Sequence, residues 1–117
     1  MIVNELNASA HSRMTGTQSQ IEWAEQIKPR VGAEFDRVAK ALADVAAHQR
    51  EQARNDTQAV IAILREKREE AMANDQAGYF ISQWQELTDQ VRTILRRDAR
   101  YQAIRAGRNS TSVRTQI

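Results

Sequence analysis

The side chains able to do chemistry are few, and their spacing rules out most of it. His11 lies in a polar stretch, and His48 has Asp44 and Gln52 four residues away on either side and no second His within helical reach, so neither has the company of a metal site or a general base. Glu22/Glu25 and Glu66/Glu70 are carboxylate pairs at i,i+3 and i,i+4, able to turn two oxygens to a cation. The Glu-x-x-His that would complete such a site from another helix is missing. There is no cysteine, hence no thiolate and no disulfide framework. The chain contains no GxxxxGK[ST] phosphate loop, no GxGxxG and no HExxH, and nothing in it suggests a Ser or Thr nucleophile activated by a His or Lys base. The expectation is a protein with no catalytic, cofactor-binding or metal-ligating residue, and not an enzyme.

Two other groups of residues carry binding chemistry. Trp23, Tyr79 and Trp84 are large amphipathic rings in a chain with two Trp, two Tyr and two Phe, and Trp and Tyr are common anchors at protein interfaces. They are the candidate partner-binding residues, although a chain so short of aromatics also needs its rings for the core. The second group is arginine. Residues 1–90 carry ten basic and 14 acidic side chains, a net charge of −4, whereas residues 91–117 carry seven Arg against Asp98 alone, a net +6. Arg92, Arg96 and Arg100 recur every four residues, with Arg97 alongside and Arg105 and Arg108 beyond. These six are candidate phosphate contacts, because a guanidinium binds phosphate bidentately. The competing reading is that they solvate a helix and complement its C-terminal dipole.

The elements that must position these groups are helices. Eighteen residues are Ala, and one Pro and four Gly leave few turns, which argues for an all-α chain of a single domain. No apolar run approaches the roughly 18–20 residues that span a bilayer. The stretch MIVNELNASAHSRM lacks a basic region followed by an apolar core, so no signal peptide is expected and the cytoplasm is the expected compartment. The spacing predicts a small bundle of about four helices over residues 15–106, a mobile arm over 1–14 and a disordered basic tail over 107–117.

The first helix is announced by Thr17 as N-cap after Gly16, with Ile21, Trp23, Ala24 and Ile27 forming its apolar stripe. Pro29 disfavours helical geometry at Lys28, so this helix is expected to end or kink there. A second helix follows over Val31–Gln49, with an a/d seam of Val31, Phe35, Val38, Leu42 and Val45. Asp36–Lys40, Lys40–Asp44 and, further on, Arg65–Glu69 are i,i+4 pairs. His48–Asp56 has no apolar stripe, and a break near Asn55 is expected, with Asn55 or Asp56 capping a third helix over Thr57–Ala73. After Asn74–Gly78, the residues Phe80, Trp84, Leu87, Val91, Ile94 and Leu95 form the best stripe in the chain, which predicts one last helix reaching Ala106 and stopping at Gly107.

Two stretches resemble a known group. TGTQSQIEWAEQIKPRV is similar to the GTxKQIxWAExIR segment near the start of small proteins of plasmids, phages and bacterial accessory genomes, through Gly16, Thr17, Gln20, Ile21, Trp23, Ala24, Glu25 and Ile27. Gln76–Trp84 resembles that group's later DAKxWIDNR-like segment through Ala77, Tyr79, Phe80 and Ile81. It departs where Phe80 replaces the Trp and Gln83–Trp84 replaces the Asn-Arg pair. The resemblance implies a mobile-element context and two Trp-bearing helices that belong together, and no mechanism.

Three function classes follow. The first is a small helical interaction or regulatory protein for a protein or nucleoprotein partner. The second is a nucleic-acid-binding protein using the Arg-rich end, although no helix-turn-helix is evident in the spacing. The third is a homo-oligomer whose apolar stripes a second copy completes, since four helices with few large residues make a thin core.

Overall fold

The computed structural model describes the backbone of residues 14–116 and the side chains of residues 14–107. Five helices are described: α1 Gln18–Ala46, α2 Glu51–Met72, α3 Ala77–Gln83, α4 Leu87–Arg97 and α5 Ala99–Gln116. The all-α expectation holds, with five helices rather than four. No described helix is long and apolar enough to cross a membrane. Of the expected arm over residues 1–14, residues 1–13 lie outside the described residues. Met14, its last residue, is buried, so the domain begins one residue earlier than the spacing suggests.

Helix α1 begins as its sequence requires. Thr17 Oγ1 accepts from the Gln20 N–H and Gln20 Oε1 accepts from the Thr17 N–H, a complete capping box. Gly16 precedes it at φ +144°, a conformation open to glycine, and an added Cβ would stand 3.2 Å from that of Ala77.

Pro29 does not end this helix. It lies inside α1, which is continuous for 29 residues, so the first two expected helices are one. The missing N–H leaves the Glu25 carbonyl without its helical donor, and an interior proline disfavours helix by about 3 kcal/mol. Glu25 and Pro29 are both exposed, so water can reach that carbonyl. The opposite face decides the outcome. Ala24, Val31 and Phe35 are buried on one stripe only if the helix runs straight through, and burying Val31 and Phe35 is worth about 3–6 kcal/mol together.

The chain then turns at residues 47–50 and α2 returns antiparallel along α1. The break expected near Asn55 exists but sits earlier, and Asn55 and Asp56 are inside α2. Gln49 holds the turn: its Oε1 accepts from Thr57 Oγ1 at 2.6 Å and its carbonyl accepts from Arg54 Nη2 at 3.0 Å. The two helices approach closely at Gly32, where a Cβ would meet Arg68 Nη2 at 3.0 Å and Met72 at 3.3 Å.

A second turn carries the chain from α2 to α3. Asn74 Oδ1 accepts from the Gln76 N–H, as its position suggests, although Gln76 itself is the N-cap. Backbone bonds Thr15 N–H to Asp75 C=O (2.7 Å) and Ala77 N–H to Thr15 C=O (3.0 Å) tie the chain before α1 to the start of α3. Both α3 and α4 pack on α1.

The single last helix expected from the Phe80–Leu95 stripe is broken twice, at Trp84–Glu86 and at Asp98. Ser82 Oγ donates to the Gly78 carbonyl at 2.7 Å, a local bond that competes with the helix ladder just before the first break. The stripe nevertheless goes inward: Phe80, Trp84, Val91 and Leu95 are buried, and Leu87 and Ile94 pack on them. On α1 the expected seam holds for Val31 and Phe35, which are buried, and for Val38 and Leu42, which are partly buried against the same core; Val45 is half exposed, with Ala46 beside it buried. Helix α5 continues past Gly107, so that glycine is not a stop, and the backbone of the expected disordered tail is helical to Gln116.

The rod-like outline, 68 × 26 × 18 Å with a radius of gyration of 18.4 Å, exceeds the roughly 13 Å of a compact domain of this length. Replacing Pro29 with Ala is therefore expected to stabilise the fold by about 1–2 kcal/mol, by restoring the bond to the Glu25 carbonyl. Urea unfolding checks it: an unchanged or lower midpoint would mean that α1 needs the proline.

Candidate interaction surfaces

The three candidate aromatic residues separate cleanly. Trp23 is 57% exposed, about 100° round the helix from the buried Ala24 that takes the core position beneath it. It is not the ring that docks α1. Trp84 is 2% exposed and meets Phe35 edge to face, 5.6 Å between ring centres, so it is a core residue and not a surface anchor. Its indole Nε1 is buried without a hydrogen-bond partner among the described residues. Tyr79 is half-buried and packs edge to face on Phe80 at 5.0 Å. The stretches Thr15–Val31 and Gln76–Trp84 meet through the Thr15–Gln76 bridge and through Lys28 Nζ, 6.0 Å from the centre of the Phe80 ring, but Trp23 is exposed.

The arginines separate as well. Arg100 is committed to an internal cluster: its Nη2 donates to Glu66 Oε2 on α2 and, at 2.8 Å, to Asp98 Oδ2. Lys67 Nζ lies 3.4 Å from the same Asp98 oxygen. Asp98 Oδ1 accepts the backbone N–H of Arg100 (2.8 Å) and of Tyr101 (3.3 Å), which makes Asp98 the cap of α5. Arg105 Nη1 donates to Tyr101 Oη at 2.9 Å, and its guanidinium lies 5.8 Å from that ring's centre. Arg92 lies within electrostatic reach of Glu34 on α1. Arg96 and Arg97 are exposed, with no ion-pair partner among the described residues. The Arg108 side chain lies outside the described residues.

The cluster sets the titration of this end. Arg100 beside Asp98 holds that carboxyl far below the ordinary range, against the effect of its burial, and Arg100 lowers Glu66 in the same way. Asp98 in turn raises Arg100. On α1, Arg37 lowers Glu34 through an ion pair of 2.6 Å. The helical pairs anticipated for Asp36 and Lys40 give way to a contact between helices, Asp36 Oδ1 to Arg68 Nε at 2.9 Å, with Nη2 donating at 3.3 Å to Oδ2. Sequence spacing missed the cluster because Glu66 and Arg100 are 34 positions apart. Its one legible sign was Asp98, the lone acid among seven arginines.

Among the described residues no group of three or more His, Cys, Asp or Glu side chains converges as a metal site. Although α3 and α4 are short and joined by residues 84–86, each packs on α1 instead of mainly on the other, which is not the packing of a helix-turn-helix. No family model, curated protein or solved structure matches the chain.

Two outcomes follow. Trp84→Ala is expected to lower unfolding free energy by about 3–5 kcal/mol, against about 0.5 kcal/mol or less for Trp23→Ala, in chemical denaturation. Equal losses would contradict the placement of the two rings. Because the folded pKa values of Asp98, Glu66 and Glu34 lie below their unfolded ones, their stabilisation is present above about pH 5 and is lost as pH falls through and below about 4. Asp98→Asn should flatten the acid side of a Tm-against-pH profile; an unchanged slope would remove Asp98 from that role.

Proposed function

We propose that this chain is a non-enzymatic helical interaction or regulatory protein, working in the cytoplasm, that binds a protein or nucleoprotein partner with Trp23 as its anchor. The observation that carries the reading is the exposure of Trp23. A protein with six aromatic residues leaves one of its two tryptophans 57% exposed, on a capped helix whose other face is fixed in the core. An exposed indole offers a large apolar area and an N–H donor, and its two side-chain torsions leave little entropy to lose on binding. The similarity of Thr15–Val31 to segments of plasmid and phage proteins supports a mobile-element origin, in which a small protein acts by occupying a surface of a larger machine.

The second reading is nucleic-acid binding through α4 and α5. The observation favouring it is the exposure of Arg96 and Arg97, without ion-pair partners among the described residues, next to Arg92. Against it, Arg100 is spent on Glu66 and Asp98, and Arg105 on Tyr101, which takes two of the six candidates away from phosphate.

Capture of the tagged full chain from lysate, with and without nuclease, and elution in a salt series separates the two. The proposal expects a discrete partner that survives nuclease and high salt, with retention falling at least about tenfold in Trp23→Ala. Nucleic acid released at moderate salt, and lost in Arg92→Ala/Arg96→Ala/Arg97→Ala, would establish the second reading instead. If neither is captured, sedimentation at rising concentration tests self-association, the remaining expectation.

A further inference from the structure

The opposite side of α1 carries a second surface. Trp23 and Ala43 are 20 residues apart on a helix turning about 100° per residue, which places them on opposite faces. On the Ala43 side, α1 and α2 leave an open groove of about 740 Å³ between them. Its floor includes Ala43, Ala46, Ile61 and Ala62. A smaller cavity continues it toward Phe35 and Leu64, sharing Ala43 and Arg65. Together they run from Asp36 to Ala47 along α1, three turns or about 16 Å.

The charge on this groove is one-sided. Its walls carry Lys40, Arg54, Arg65 and Arg68 against a single carboxylate, Asp36, which is already paired with Arg68. Arg54 also holds the Gln49 carbonyl. Lys40 and Arg65 are exposed and have no ion-pair partner among the described residues.

We propose that this groove docks an acidic amphipathic helix of a partner protein. The alanine floor lets a third helix approach to the 8–10 Å of ordinary helix packing, with its apolar ridge over Ile61 and Ala62. Glu or Asp on the flanks of that ridge meet Lys40 on one wall and Arg65 and Arg54 on the other. The apolar floor distinguishes such a ligand from a nucleic-acid backbone, which would use the cations and leave the floor wet. The proposal does not depend on Trp23, so the two surfaces can succeed or fail separately.

The test uses the full chain with labelled alanine methyl groups. The probe is a synthetic helical peptide of about four turns with Leu along one face and Glu on both flanks. Binding should shift the Ala43, Ala46 and Ala62 methyl signals and leave the Trp23 indole signal in place. Lys40→Glu/Arg65→Glu should weaken binding about tenfold or more, as should Ala43→Leu, which fills the groove and keeps every charge. Circular dichroism confirms that these surface variants fold; should Ala43→Leu not fold, Ala62→Gln tests the floor in its place. Equal affinity for a peptide with Lys in place of Glu would overturn the proposal. So would undiminished binding of a peptide with Ala in place of Leu, which marks a mere polyanion site. Concentration-dependent self-association abolished by Ala43→Leu would assign the groove to a second copy and overturn it too.

Discussion

Phe35 against Trp84 is the contact on which the rest of this fold depends. Both rings are almost wholly buried, 5.6 Å apart, in a chain with only six aromatic residues. To bring Phe35 there in line with Ala24 and Val31, α1 must pass through Pro29 without stopping. Trp84, Val91 and Leu95 lie on one helical stripe by spacing, and all three stay buried although the chain breaks at Trp84–Glu86. The length of α1 is a consequence of that meeting more than of local propensity.

A core this narrow shifts part of the stabilisation to edges and junctions. Three of the connections are held by side chains with a definite task. Gln49 receives Thr57 and Arg54, Asn74 receives the Gln76 N–H, and Asp98 caps α5 while gathering Arg100 and Lys67. The last of these has a functional consequence. An arginine anchored on both Glu66 and Asp98 serves the fold, and releasing it to a phosphate would leave Asp98, which is nearly buried, with less of its compensation. Basic charge in the sequence is therefore a poor count of basic charge available to a ligand.

The exposed groups left over are few and placed apart. Trp23 stands on one side of α1, and Lys40 with Arg65 flanks an alanine-floored groove on the other. Neither arrangement activates a nucleophile or gathers a metal, and both suit recognition by shape and charge.

What the sequence determined by itself was the local physics. Eighteen alanines and a sustained apolar period dictated helices, and Gly16–Thr17–Gln20 dictated where the first one starts, because those effects act within one turn of chain. Phe80, Trp84, Val91 and Leu95 were legible as inward-facing for the same reason. Tertiary structure decided what depends on residues far apart in the chain. Pro29 carries a helix-stopping signal that burial of Val31 and Phe35 outweighs. Trp23 lies on an apolar stripe by spacing, yet Ala24 takes the core because a close approach of helices favours the smaller side chain. Arg100 joins Glu66 across 34 positions, a pairing no helical period contains. The period of a helix is set within one turn; which of its faces lies inside is set by what packs against it.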